Sequence, residues 1–155
     1  MNEYLAEASE ELKRVEHIIY VSLKYTRTVD VVRNALNRLV SMFDFLIEAL
    51  VDFAKKEKKF KQIPKSPRLK VDLVREAFEK DGRILWYMNF YVFLRDILKA
   101  KFTKKEEYRR HVTMVAELWN RTVEVNIDTL EDNFLKIAKE FLEYAEIILG
   151  EREKE

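Results

Sequence analysis

The sequence predicts an all-α fold, an antiparallel bundle of five or six helices. Only two glycines and two prolines occur in 155 residues, whereas a β-rich fold of this size needs many more turn residues. Apolar residues recur at spacings of three and four along most of the chain, which is typical of helices. We therefore expect one helical domain over residues 1–150, followed by a polar tail over 151–155.

The first two predicted helices cover residues 3–25 and 29–60. In the second helix the apolar residues alternate strictly between spacings of four and three, which is typical of a long helix packed nearly parallel to its neighbours. These positions are Val32, Leu36, Leu39, Phe43, Leu46, Leu50 and Phe53.

In the middle of the chain the sequence predicts shorter helices. Ser66 and Pro67 are a favourable start for a third helix, which is expected to extend to about residue 80. Gly82 is expected to terminate it in a left-handed conformation. A fourth helix is predicted over 83–101, and the capping-box pattern of Thr103 and Glu106 predicts the start of a fifth. The β-branched residues of 121–132 disfavour helix, and we place a turn or kink there.

An internal similarity relates residues 17–36 to residues 111–130 without gaps. It predicts two related helical hairpins that flank a central pair of helices, although two helical segments can also match by chance. In this hypothesis Thr28 and Thr122 cap equivalent helices. The matched positions include His17 with His111, Arg27 with Arg121, Thr28 with Thr122, and Asp30 with Glu124.

This similarity duplicates a histidine, an arginine and an acid, which we call the paired polar set: His17, Arg27, Asp30, His111, Arg121 and Glu124. One hypothesis is a pseudo-symmetric enzyme site, which requires these groups to lie within hydrogen-bonding distance of each other. The alternative is that they serve helix packing and surface ion pairs. The chain has no cysteine and no Glu-x-x-His pair of the kind that di-iron bundles use, so we expect no metal and no cofactor.

Two segments, 55–70 and 99–110, are strongly basic. If the third and fourth helices are antiparallel, both segments lie at the same end of the bundle and form a positive pole that attracts phosphates. An RNA- or nucleotide-binding protein is therefore one hypothesis, and solvated loops balanced by acids elsewhere are the alternative. The candidate anion-binding residues are Lys55, Lys56, Lys58, Lys59, Lys61 and Arg68.

The fourth predicted helix is apolar around most of its circumference, which indicates a buried helix or an interface. Its large rings are Trp86, Tyr87, Phe90, Tyr91 and Phe93. A central position in the bundle explains them without a partner, whereas a homodimer seam gives the leading functional hypothesis. In that hypothesis the protein is a non-enzymatic interaction module that works as a homodimer.

No membrane segment is predicted. The most apolar run, residues 84–94, has 11 residues and is interrupted by Asn89, whereas a bilayer span requires roughly 20 apolar residues. The acidic, amphipathic N-terminus does not resemble a secretory signal, so a cytoplasmic location is expected. The absence of cysteine and the abundance of Glu and Lys are typical of a thermophilic source.

The N-terminal motif EYLAEASEELKRVEHII, residues 3–19, and the long helix after it resemble the HEPN-type helical bundles, over about the first 60 residues. The resemblance implies a helical bundle that often dimerises, in a family with RNA-cleaving and non-catalytic members. The family's nuclease signature is an arginine followed four to six residues later by a histidine. Arg14 lies three residues before His17, and Arg109 and Arg110 lie two and one before His111, so none fits. The resemblance therefore implies a non-nuclease, with no catalytic residue to carry over.

Overall fold

The computed structural model describes residues 2–57 and 62–152. Their elements are, in order, α1 (Glu3–His17), a π-helical turn π1 (Ile18–Ser22), α2 (Leu23–Tyr25), α3 (Val29–Lys56), α4 (Pro67–Ala77), α5 (Gly82–Lys99), β1 (Lys101–Lys105), β2 (Thr113–Leu118), β3 (Arg121–Val125), a second π-helical turn π2 (Thr129–Phe134) and α6 (Leu135–Ile148). The fold is thus mostly helical but contains a three-stranded sheet. No helix in the described ranges has the length and apolar character needed to cross a membrane.

Helix α3 is the central element, and α1, α4, α5 and α6 all pack against it. Its predicted apolar stripe is confirmed, since the positions from Val32 to Leu50 are buried, and Phe53 stacks on Phe78. The Thr28 hydroxyl accepts a hydrogen bond from the Val31 backbone N–H at 3.3 Å, as an N-cap does. The helix ends at Lys56 instead of residue 60.

Helices α4 and α5 are separate, as predicted. Ser66 caps α4 through a bond from the Leu69 N–H to its hydroxyl at 3.2 Å, with Pro67 at the first helical position. The role predicted for Gly82 is wrong, because this residue opens α5 instead of ending α4. The Asp81 carboxylate is the reason, since it accepts from the N–H groups of Arg83 and Ile84 and so caps the new helix.

The predicted fifth helix is wrong. Residues 101–125 form an antiparallel sheet of order β1-β2-β3, so the all-α prediction holds only for the rest of the described chain. Thr103 lies inside β1, and Glu106 has a φ of 58°, which a helix does not permit. The β-branched residues of 113–125 extend as strands because they pack well on a pleated surface.

The hypothesis of two related hairpins is also wrong. Residues 17–36 span π1, α2 and the start of α3, whereas residues 111–130 form β2, β3 and the start of π2. Thr122 lies in β3 and caps nothing. Two segments with a similar pattern of apolar residues therefore form helix in one case and strands in the other.

The path of α4 positions the functional groups. Lys70 forms an ion pair with Glu48, and Phe78 stacks on Phe53 farther along α3. Helix α4 therefore begins beside Glu48 and runs in the same direction as α3. Helix α5 runs the opposite way, with Tyr91 bonded to Asp44.

Candidate functional site

The paired polar set is not assembled into one site. His17 is exposed on α1 and His111 is exposed in the β1–β2 loop. Within residues 2–57 and 62–152, no hydrogen bond or ion pair joins any two members of the set. The acids meet lysines instead: Asp30 lies 3.7 Å from Lys104, and Glu124 lies 3.6 Å from Lys105. The guanidinium of Arg121 covers the Phe93 ring at 5.2 Å. No cluster of three or more metal-ligating side chains occurs in the described part of the chain.

The predicted positive pole is divided. Lys55 and Lys56 lie at the C-terminal end of α3, whereas the 99–110 segment reaches the N-terminal end of the same helix, where the Glu107 carboxylate accepts from the Val29 N–H. At 1.5 Å per residue the two ends are roughly 40 Å apart. The prediction that both segments share one end is thus wrong for Lys55 and Lys56, because Glu107 of the second segment contacts the opposite end of α3. Arg68 and Lys99 line one groove, and Lys58, Lys59 and Lys61 lie outside the described residues.

Most of the predicted interface of α5 is core. Tyr87, Phe90 and Tyr91 are buried, and the Tyr87 and Phe141 rings stack with centroids 4.5 Å apart. Phe93 is half-buried beneath Arg121, and Trp86 is 51% exposed. Of the five rings, Trp86 alone offers a large accessible surface.

The most exposed aromatic side chains in the described part of the chain lie elsewhere. Tyr25, Tyr108 and Trp119 are 86%, 80% and 95% exposed. Each ring is followed two residues later by an arginine, in the segments Tyr25-Thr26-Arg27, Tyr108-Arg109-Arg110 and Trp119-Asn120-Arg121. We call these the ring–arginine segments. Our sequence reasoning missed them, although the repeated spacing is visible in the sequence.

The β1–β2 loop brings two ring–arginine segments together. The Tyr108 N–H donates to the Arg27 carbonyl at 2.7 Å, and the Glu107 carboxylate caps the N-terminus of α3 through the Val29 N–H, with both oxygens at 3.3 Å. Glu106 and Tyr108 have φ angles of 58° and 67°. Such angles are unfavourable for residues other than glycine and mark sites where structure is constrained. The loop is thereby fixed with the Tyr108 ring in solvent.

The third segment lies at the other end of the sheet. Leu118 pairs with Arg121, so Trp119 and Asn120 form the tight connection between β2 and β3. The length of β2 places Trp119 roughly 20 Å from the β1–β2 loop. Between them the strand register puts small and charged residues on the outer face of the sheet. These are Lys101, Thr103, Lys105, Val115, Glu117, Thr122 and Glu124, with Thr113 buried on the same face. Together with the three ring–arginine segments, of which Arg121 covers Phe93 on the other side of the sheet, they form what we call the sheet surface.

The sheet surface is moderately positive. Its cations are Arg27, Lys101, Lys105, Arg109, Arg110 and Arg121 and its acids are Glu117 and Glu124, an excess of four positive charges. Arg109 lies 3.7 Å from Glu106. Lys101 and Arg110 have no ion-pair partner among the residues that the structure describes. The surface therefore presents cations beside exposed rings, with part of its charge already neutralised by acids.

A separate polar cluster lies between α3, α4 and α5. The Tyr91 hydroxyl donates to Asp44 at 2.5 Å and accepts from Arg95 at 3.2 Å. Burial raises the pKa of the Asp44 carboxyl above its usual value. Burial and the bond to Asp44 also raise the pKa of Tyr91, so its hydroxyl keeps its proton. This cluster forms the floor beneath a groove between α4 and α5.

Comparisons of the chain with protein-family models, with characterised proteins and with solved structures found no match. The HEPN resemblance therefore stays a prediction, and the function is argued from the site itself.

Proposed function

We propose that the protein binds single-stranded RNA on the sheet surface and acts without catalysis. The observation that carries the proposal is the set of three ring–arginine segments, whose rings are at least 80% exposed. Proteins that bind single strands combine aromatic rings, on which bases stack, with cations that follow the phosphates. A ring that is mostly exposed buries little apolar surface on folding, whereas a stacked base would cover it.

The preference for a single strand follows from the accessibility of bases. In an RNA duplex the bases are stacked on each other and the major groove is too narrow for side chains, so rings can stack only on unpaired bases. Two of the rings, Tyr25 and Tyr108, belong to segments joined by a backbone hydrogen bond. The proposed strand would contact these two rings and pass over the outer face of the sheet towards Trp119.

The charge of the sheet surface sets the expected salt dependence. Each phosphate that the protein neutralises on a single strand changes the slope of log K against log salt by about 0.7. Replacing Arg109 and Arg110 with glutamine is expected to reduce the slope by about 1.4. The measurement is fluorescence anisotropy with a labelled RNA oligonucleotide in a potassium chloride series.

The matched control removes the same charge at the far end of α3. Lys55→Gln with Lys56→Gln is expected to leave the slope unchanged, because these lysines lie outside the sheet surface. Equal reductions in the two variants would indicate a net-charge effect and contradict the proposed site. An unchanged slope in the arginine variant would exclude these residues from the interface.

A homodimeric interaction module is the second candidate, and Trp86 is the observation that favours it. Trp86 is half exposed and stacks on Phe90 with ring centroids 5.7 Å apart. A second copy of the chain could cover this ring. A dimer in light scattering that Trp86→Ala dissociates would support this function, and a monomer would remove it.

A further inference from the structure

A groove between α4 and α5 is lined by residues outside the sheet surface. Its volume is about 320 Å³, which lies at the lower end of the range for small-molecule sites. Arg68 and Arg75 line it from α4, and Arg95 and Lys99 line it from α5. Four cations on two antiparallel helices thus face one cavity.

Two of the cations are held in place by neighbouring groups. Arg95 donates to the Tyr91 hydroxyl at 3.2 Å, and that hydroxyl is fixed by Asp44. Arg75 donates to the Asn89 side chain at 2.9 Å. A guanidinium has five N–H donors, so each arginine keeps donors for a ligand. Such preorganisation reduces the ordering cost of binding.

The other two cations lie at the rim. Arg68 and Lys99 are exposed, and within residues 2–57 and 62–152 neither has an ion-pair partner. The lining also contains two acids, Asp72 and Asp96, and Asp72 lies 3.7 Å from Arg75. The four cations and two acids leave an excess of two positive charges. A phosphate monoester carries a charge of about −1.5 to −2 near neutral pH, so its charge complements that excess.

We propose that the groove between α4 and α5 binds a terminal phosphate group through Arg68, Arg75, Arg95 and Lys99. The planar guanidinium matches the geometry of phosphate oxygens and can bind two of them at once. The phosphate can belong to a small phosphorylated molecule or to the 5′ end of an RNA strand. The second source fits the position of the groove, since Asp96 and Lys99 also line a second cavity, of about 430 Å³, together with Trp119 and Arg121 of the sheet surface.

The first test is calorimetric titration with AMP and with pyrophosphate, in the absence of RNA. Both probes are expected to bind saturably with dissociation constants below about 1 mM, and adenosine, which lacks phosphate, is expected not to bind. Arg68→Gln with Lys99→Gln is expected to weaken binding of both probes at least about tenfold, because two of the four cations are lost. Both residues are exposed, so the fold should survive, which circular dichroism checks.

The control is again Lys55→Gln with Lys56→Gln, which removes two charges that do not line the groove and is expected to leave AMP binding unchanged. If both double variants lose binding equally, the effect is one of net charge and the groove is excluded. Absence of saturable AMP and pyrophosphate binding, together with equal affinity for 5′-phosphorylated and 5′-hydroxyl RNA, would overturn the proposal.

The two sources of the phosphate are separated with RNA. If a 5′-phosphorylated oligonucleotide binds at least tenfold more tightly than its 5′-hydroxyl form, and the groove variant removes the difference, the groove binds the 5′ phosphate of an RNA strand. Equal affinities with AMP still bound indicate a small molecule. Because AMP binding is measured without RNA, failure of the sheet surface to bind RNA does not affect this result.

Discussion

Replacing Trp119 with alanine and Tyr108 with asparagine is expected to weaken single-stranded RNA binding roughly a hundredfold to a thousandfold. A ring that stacks on a base contributes about 1–3 kcal/mol, and each 1.4 kcal/mol corresponds to a tenfold change in affinity. Asparagine is chosen at position 108 because Tyr108 has a φ of 67°, a conformation that asparagine tolerates better than alanine does. Anisotropy at fixed salt measures the loss.

Stability should hardly change in this variant. Both rings are at least 80% exposed, and substitutions at such positions usually change the free energy of unfolding by less than about 0.5 kcal/mol. Trp86→Ala is the matched control, since it removes a half-exposed tryptophan near the N-terminal end of α5, whereas the sheet follows the C-terminal end of this helix. If the double variant keeps its RNA affinity and Trp86→Ala loses it, the proposed interface on the sheet surface is wrong.

Replacing Phe43 with alanine should cause the largest loss of stability, about 3–5 kcal/mol. The Phe43 side chain is fully buried, and its ring lies 5.8 Å from Phe90 and 5.0 Å from Phe141. It therefore joins α3 to α5 and α6 at one point. Because total stabilities are commonly about 5–15 kcal/mol, this single change should bring the chain close to unfolding.

Urea denaturation followed by circular dichroism measures this loss. Phe45→Ala, at a half-buried position two residues along α3, is the control and should cost clearly less. Equal losses in the two variants, or a loss below about 1 kcal/mol for Phe43→Ala, would contradict the packing of the three helices around this ring.

Helix α3 could be predicted because its signals agree. Its apolar residues alternate between spacings of four and three from Val32 to Phe53, and the Thr28 hydroxyl with Asp30 in the first turn marks its start. Ser66 and Pro67 at the start of α4 are similarly unambiguous. Where the local preference, the periodicity and the capping residues point to one structure, a single sequence suffices.

The sheet could not be predicted because its signals conflict. Thr103 and Glu106 match a capping box, and the tight β2–β3 connection at Trp119 and Asn120 contains neither glycine nor proline, the residues that usually mark a hairpin. The β-branched residues near Val123 were interpreted as a kink. Strand formation depends on packing against cross-strand neighbours and against the helices, which outweighs such local patterns.

The candidate site was hidden for a different reason. A helix that is apolar around its circumference is either buried or an interface, and the five rings of α5 were interpreted as an interface. Tyr87, Phe90 and Tyr91 instead pack in the core. The ring–arginine spacing is readable in the sequence, but the exposure of Tyr108 depends on the positive φ angles of its loop. The presence of Arg68 and Lys99 in one groove likewise depends on how α4 and α5 pack, which sequence spacing does not specify.

The most direct test of the proposed function is the emission of Trp119 during a titration with single-stranded RNA. The chain has two tryptophans, so the conservative variant Trp86→Phe leaves Trp119 as the single reporter. Stacking of a base on this ring should quench its emission saturably, with a midpoint that matches the affinity from anisotropy and shifts to higher RNA concentration as salt increases. RNA that binds without changing Trp119 emission, or that does not bind, would contradict the proposal.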